Sequence, residues 1–308
     1  MSRLAVIGNF DGVHRGHQAL LADASALASR AGLEPCLLTF HPHPAEVLGN
    51  TPPPLLTRRG RKRELVLRTA PSVEVVEQRF DLELAALSPR AFAEVLVNDH
   101  RAKHVVVGRN FRFGHARSGE FDTLVELGKE LGFDASSLEL VGDADGPFSS
   151  TRVREAVAVG DLSLAERLLG RPHMASGVVS HGKELGRTLG YPTANLSAFE
   201  EMLPPPGVYA TLVDRVDDAG AHVLGLGATS VGKNPTTDFD DALKVETYVL
   251  DFDGDLYGAE LRVHFVARLR DEARFDSLDA LVAAIAADVA GARVALADRV
   301  PAPWGAFA

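Results

Sequence analysis

The chain carries one cysteine, Cys36, in 308 residues. A disulfide framework and a cysteine metal site are thereby excluded. Cys36 lies in the apolar run Cys36-Leu37-Leu38 and is expected as a buried core thiol. No run of 18 apolar residues occurs, which excludes a membrane-spanning helix. Met1-Ser2-Arg3 passes straight into a strand-like run with no signal-peptide pattern ahead of it, so a cytoplasmic protein is expected. Basic charge is also in deficit. Against 42 Asp and Glu stand 32 Lys and Arg, a formal net charge of -10. That argues against non-specific binding to nucleic acid and leaves room only for a local basic groove. There is no internal repeat and no low-complexity tract. Pro204-Pro205-Pro206 is short and reads as a rigid turn. What remains is a globular composition, 46% hydrophobic and 24% charged, long enough for two domains.

The first half alternates apolar runs with helical patterns. Strands are expected at 4–7, 35–40, 73–76, 104–108 and 137–141. Helices are expected between them, at 17–31, 58–69, 89–99 and 120–131. This is the rhythm of a parallel, doubly wound sheet that binds ligands at the carboxyl ends of its strands. Asn9, His41, His43, Arg109 and Asn110 fall at such ends. Residues 151–169 read as two short helices broken at Gly160-Asp161. After Gly170-Arg171-Pro172 the pattern turns β-rich, with runs at 177–180, 207–214, 223–230, 244–251 and 260–269. Their spacing predicts an antiparallel barrel or sandwich, closed by a helix over 278–294. The boundary is placed at residue 170, giving domains 1–170 and 171–308.

The densest chemistry is Ile7-Gly8-Asn9-Phe10-Asp11-Gly12-Val13-His14-Arg15-Gly16-His17-Gln18. A strand, a glycine turn and a helix start put His14 and His17 on one face of a first helical turn. Unpaired N–H groups and the positive dipole end make that turn a phosphate site. Gly12 and Gly16 permit close approach of the anion. Further on, Ser149-Ser150-Thr151-Arg152-Val153-Arg154 supplies hydroxyls that cap a helix and bond phosphate oxygens. Arg154 can neutralise charge on a departing pyrophosphate.

The β-rich half has its own signatures. Gly182-Lys183-Glu184-Leu185-Gly186-Arg187-Thr188-Leu189-Gly190-Tyr191-Pro192-Thr193-Ala194-Asn195 joins a glycine-rich loop to two hard oxygen donors, Thr193 and Asn195, suited to Mg²⁺. Gly-Lys-Ser/Thr is missing, so this is not a Walker A loop. Glu246 stands in the run Val245-Glu246-Thr247-Tyr248. A kinase acting on an alcohol must take up a proton, and a carboxylate within reach of the hydroxyl does so. Each signal alone has a plainer reading: a hairpin turn for the glycines, a solvent-facing strand residue for Glu246.

Together these motifs resemble a known family. Residues 8–17 with 149–154 look like the nucleotidylyltransferase pair of motifs. Thr39-Phe40-His41-Pro42-His43-Pro44 and Val107-Gly108-Arg109-Asn110-Phe111-Arg112-Phe113-Gly114 resemble the N-terminal module of bacterial bifunctional riboflavin kinase/FAD synthetase. Residues 177–195, 230–235, 246–258 and 268–277 look like the riboflavin kinase module of the same family. The resemblance implies a Rossmann-like FMN adenylyltransferase domain followed by a riboflavin kinase β-barrel, a cytoplasmic ATP- and Mg²⁺-using enzyme that makes FMN from riboflavin and FAD from FMN. It implies that His14, His17 and Arg154 are catalytic, and that Gly8, Asn9, Phe10, Asp11, Gly12, Gly16, Ser149, Ser150, Thr151, Gly182, Gly186 and Arg187 bind ATP and phosphate. Flavin contacts are implied for Asn110, His43, Arg268 and Arg274, Mg²⁺ contacts for Thr193 and Asn195, and the role of base for Glu246. No nucleic-acid or membrane partner is implied, and a homo-oligomer is left open. Three positions depart from the family: His41 stands where an acid is usual, Thr237 where Phe is usual, and Lys244 where Arg is usual. Two rivals follow, a kinase whose adenylyl site His41 has weakened and a flavin-binding regulator without catalysis.

Overall fold

A computed structural model describes residues 1–137, 141–181, 185–233 and 243–299, apart from the side chains of residues 185, 187 and 233. The chain divides into two compact units. Residues 1–53 and 59–149 form the first; residues 54–58 and those from 150 onward form the second.

The first unit is built on a five-stranded sheet in the order β3-β2-β1-β4-β5. The strands are β1 (Arg3–Ile7), β2 (Glu34–His41), β3 (Glu74–Arg79), β4 (Ala102–Val107) and β5 (Asp134–Ser137), and every pairing is parallel. β1 is central and buried on both faces, which is why it reads as an unbroken apolar run. One face, carrying Ala5, Ile7, Cys36, Leu38, Val105 and Val107, packs on Phe92, Leu96 and Leu124. Those residues come from helices α5 (Pro89–Asn98) and α6 (Phe121–Leu131). The other face faces α1 (Arg15–Ala31) and α3 (Arg59–Thr69), whose Leu21, Ala24, Leu65 and Val66 are buried. The short helices α2 (Pro44–Val47) and α4 (Leu82–Ala85) follow β2 and β3. Cys36 is a free buried thiol, and burial pushes its pKa up to about 11. Of the strand expected at 137–141, residues 138–140 lie outside the described residues, and the described β5 ends at Ser137. β5 is a polar edge strand, paired on one side only, so it needs no apolar signature. A two-residue hairpin, β6 (Gly142–Asp143) and β7 (Gly146–Pro147), closes the unit.

In the second unit α7 (Ser150–Val159) and α8 (Leu162–Leu169) break at Gly160-Asp161, with Asp161 accepting from the Leu164 N–H as N-cap of α8. They group with the barrel, not with the sheet that precedes them. The barrel is closed in the order β10-β11-β12-β9-β8-β13. Its strands are β8 (His173–Ser180), β9 (Thr193–Ser197), β10 (Gly207–Asp217), β11 (Gly220–Lys233), β12 (Leu243–Val249) and β13 (Glu260–Arg270), all antiparallel. A single turn of helix, α9 (Leu185–Thr188), precedes β9. The interior is filled by alternate residues such as Val179, Leu196, Tyr209, Val231, Val245, Val263 and Phe265. Thr211, Thr229 and Thr247 are also buried, and their hydroxyls satisfy one another across three strands at 2.9 and 3.0 Å. α10 (Leu278–Ala295) is N-capped by Ser277 and packs Ala292 against Leu212 and Val266 outside the barrel. The segment 54–58 belongs to this unit: Arg58 pairs with the buried Glu201 at 3.2 Å and with Glu260 at 3.0 Å.

Candidate active sites

The first constellation grows from the carboxyl end of β1. The Gly8 N–H donates to the Leu38 carbonyl at 3.1 Å and holds the chain against β2. The chain then turns through left-handed conformations at Phe10, Gly12 and Val13. A β-branched residue at φ 40° is strained, and such strain concentrates where a site needs it. The turn delivers His14 as N-cap of α1. Its Nδ1 accepts the His17 N–H at 3.3 Å, which leaves the ring proton of the neutral form on Nε2. The His14 and His17 rings stack at 3.7 Å, and Phe10 stacks on His17 at 4.3 Å. Burial, then the neighbouring His14, then Lys62, hold the His17 pKa well below its ordinary value, so His17 is neutral near pH 7. Its Nδ1 is buried with no hydrogen-bond partner. Gly16 is required by close approach: a Cβ there would stand 3.1 Å from the His14 ring and 3.2 Å from the Phe148 carbonyl. The first turn of α1 holds no acidic side chain. The arrangement can therefore receive an anion.

Around this turn, Thr39 donates to the Asn9 carbonyl at 3.3 Å, and the Asn9 amide lies 3.1 Å from His43 Nε2. His43 Nδ1 caps α2 by accepting the Ala45 N–H. Asp11 is buried. Lys62 of α3 faces Asp11 and Glu77, and burial lowers its pKa. Glu77 pairs with Arg59, which holds its carboxyl below the usual range, and it also faces His41. Lys62 was not expected as a site residue. It sits in the run 58–63, where a string of cations reads as a solvated helix face. Asn110 is exposed in the turn after β4, folded back towards Gly108. Phe148 packs on Gly16, and Arg15 lies over its ring at 5.3 Å, so Ser149 follows a residue fixed at the start of α1. Ser150, Thr151 and Arg154 stand in α7 and belong to the second unit, where Arg154 donates to the Pro54 carbonyl at 2.7 Å.

The second constellation is a matter of register. In the β9–β12 ladder Glu246 is directly opposite Asn195, and Tyr248 opposite Thr193. Glu246 also pairs with Ser230 of β11. Lys244 holds the Glu246 carboxylate at 2.6 Å. Asn195 Oδ1 is buried with no hydrogen-bond partner. A cavity of about 440 Å³ is lined by Thr193, Asn195, Thr247 and the loop 252–257. Tyr257 of that loop stacks on His181 at 4.0 Å. Gly186 lies against the Tyr191 carbonyl and the Thr193 hydroxyl, so α9 backs the same strand. Gly182 and the family departure at Thr237 lie outside the described residues, and for Arg187 only the backbone is described. Arg268 is engaged with the Pro206 carbonyl at 2.7 Å and with Asp271 at 2.9 Å, while Arg274 is exposed on the segment that follows β13. Among the described residues no three His, Cys, Asp or Glu side chains gather as a metal centre. The unpartnered Asn195 oxygen and Thr193 line the same cavity, and both are oxygen donors of the kind hard cations take.

Comparison with known proteins finds two separate family models on this chain. A family model described as FAD synthetase matches residues 2–152, and one described as riboflavin kinase matches residues 169–296. The bifunctional riboflavin kinase/FMN adenylyltransferase of Pseudomonas fluorescens is 42% identical, covering 94% of this chain and 92% of its own length. Its counterpart in Escherichia coli K12 is 40% identical, covering 93% and 90%. A crystal structure described as a macrolide-efflux protein from Streptococcus pneumoniae superposes with a TM-score of 0.83 at 31% identity, covering 95% of this chain and 94% of that one. Among the described residues no helix is long and apolar enough to cross a membrane. Two family models in one order, and full-length likeness to proteins that carry both, show that the chain belongs to the bifunctional riboflavin kinase/FMN adenylyltransferase family.

Proposed function

We infer that this chain transfers the γ-phosphoryl of ATP to riboflavin in its barrel, and then transfers AMP from a second ATP to the FMN phosphate in its α/β unit, releasing pyrophosphate. One observation carries the reading. Two chemically different constellations occur, a strand carboxylate beside hard oxygen donors in the barrel and a stacked histidine pair at a helix start in the α/β unit, and the first suits a kinase as the second suits an adenylyl transfer.

The kinase step needs a base. The ribityl terminal hydroxyl attacks phosphorus and loses its proton, and Glu246 is the group we assign to accept it. Lys244 keeps that carboxylate oriented. Thr193 and Asn195 are assigned to hold Mg²⁺, which when bound screens charge on the ATP phosphates. The adenylyl step needs no base, because the FMN phosphate is already an anion. Its demands are alignment and charge. We assign His14 and His17 to the ATP phosphates, His17 as a neutral hydrogen-bond donor. Lys62 supplies local positive charge beside the neutral His17 ring. Gly8, Asn9, Phe10, Asp11, Gly12 and Gly16 shape the turn beneath the phosphates, and Asn110 and His43 are assigned to the flavin side. Ser149, Ser150, Thr151 and Arg154 are assigned to the triphosphate on their motif. In the barrel, Gly182, Gly186 and Arg187 are assigned to ATP, and Arg268 and Arg274 to the flavin end.

We place the functional boundary at residue 170, although α7 and α8 group with the barrel. The substrates place the enzyme in the cytoplasm, and the reading requires neither nucleic acid nor a second copy. Purified protein with riboflavin, ATP and Mg²⁺ should yield FMN first and FAD after it, resolved by chromatography. FMN without FAD would reduce the reading to a kinase, and neither product would refute it.

A further inference from the structure

Arg270, the last residue of β13, makes three different contacts. Its Nε and Nη2 donate to the two carboxylate oxygens of Asp288 on α10, at 2.8 and 2.7 Å. Its Nη1 donates to the Asp271 carbonyl at 2.9 Å. Its guanidinium lies 5.6 Å from the centre of the Phe275 ring. A bidentate pair fixes the plane of the guanidinium, and Asp288 is buried. With the plane fixed, the other two contacts set the course of the chain beyond the strand, at its first and fifth residues. That stretch, 271–277, has no helix or strand to hold it.

The stretch runs beside the kinase constellation. Two residues past Arg270, the Glu272 carboxylate lies over Gly232 so closely that a Cβ there would meet Oε1 at 2.6 Å. Gly232 pairs with Lys244, and Ser230, two positions along, pairs with Glu246. The cavity at Thr193 and Tyr257 is lined by β9, the loop 252–257, Val179 and the β12 residues Thr247 and Val249, with no residue of β11 or of 271–277. The segment therefore borders the base on the β11 side, away from that cavity.

We propose that Arg270 and Asp288 are positioning residues of the kinase site, holding 271–277 where it closes on the flavin beside Glu246. This rests on the reading of the barrel as a riboflavin kinase. Because the segment and the cavity lie on different sides of Glu246, the pair acts on the acceptor and not on ATP. Arg270 touches no reacting atom.

The test is steady-state FMN formation by the full-length chain carrying Arg270→Ala, Arg270→Lys or Asp288→Asn. Arg270→Ala should raise the riboflavin KM on the order of tenfold, with the ATP KM and the FMN-to-FAD rate unchanged. Arg270→Lys keeps the charge but loses the fork, and should fall between. Asp288→Asn, the mildest change, should shift the riboflavin KM in the same direction. An unchanged riboflavin KM in a folded Arg270→Ala chain overturns the proposal. So does an equal rise in both KM values with a lowered melting temperature, the mark of a purely structural pair. If the unaltered chain makes no FMN, the kinase reading itself has failed, and that is read before any variant is compared.

Discussion

His17 is a buried imidazole that ionises poorly, and its neighbours explain why. It is pressed between Phe10 and His14 and shares its surroundings with Lys62. Burial comes first, and His14 and Lys62 add to it, in disfavouring a charge on this ring. The neutral ring can donate a hydrogen bond to a phosphate without competing with Lys62 for the same charge. His17→Ala should lower FMN-to-FAD conversion by on the order of 10²–10³ and leave riboflavin phosphorylation intact. Glu246→Gln should do the reverse. Loss of both activities in either folded variant would contradict two separate sites. The same pKa has a consequence for stability. An unfolded histidine binds a proton near pH 6.5, and folded His17 binds it only at lower pH. Between those values the unfolded state holds more protons, so stability must fall as pH falls through that window. His100 and His104, whose pKa values burial also lowers, act in the same direction. Urea midpoints measured from pH 7.5 to 5 should decline for the unaltered chain. His17→Phe, which keeps the stack and removes the titration, should flatten part of that slope, and an identical slope would mean that His17 is not held neutral.

At the scale of elements, the start of α1 shows how tightly a helix end can be specified. Gly16 is squeezed between the His14 ring and the Phe148 carbonyl. An alanine there would push the His14 ring or the 148–149 chain by a few tenths of an ångström. Gly16→Ala should therefore reduce FMN adenylylation by on the order of tenfold, measured as pyrophosphate release, with FMN formation unchanged. Retained adenylylation would show that the His14 ring can move without cost. This part of the molecule was legible in the sequence because a strand, a turn and a helix cap each leave local marks. Other elements left fewer. β9 was not read as a strand: only Ala194 and Leu196 face the barrel interior, and the Pro-Thr-Ala-Asn motif masks the alternation. β5 lies at a sheet edge with polar residues and so lacks the apolar run by which the other four parallel strands announce themselves. Lys62 was hidden for a different reason. Its neighbours in sequence are cations, and only the packing of α3 separates the lysine that faces Asp11 from the arginines that pair with Glu64 and Glu77. Arg268, expected at the flavin, is held by a carbonyl and a neighbouring aspartate, contacts that no motif foretells.

At the scale of the whole molecule, the change of rhythm near residue 170 located the switch from helix-rich to β-rich sequence but could not show which way the two connecting helices group. Contacts decide that, and α7, α8 and the segment 54–58 all join the barrel unit. The chain thus visits the second unit once, early, before completing the first. Even so, the assigned base, its lysine and the proposed Mg²⁺ donors come from β9 and β12, and the stacked histidines come from one turn of the first unit. The base and the histidine pair thus lie in different units, although Ser150, Thr151 and Arg154, assigned to the adenylyl step, group with the barrel. FMN, the product of one, is a small soluble anion and the substrate of the other. It follows that the two activities should complement in trans. A mixture of the Glu246→Gln chain, unable to make FMN, with the His17→Ala chain, unable to use it, should convert riboflavin to FAD when neither does so alone. The expected signature is a lag in FAD that shortens as the His17→Ala chain is increased, because FMN must first build up in solution. Absence of FAD from the mixture, while each chain still performs its own half-reaction, would mean that FMN passes between the sites of one chain without release.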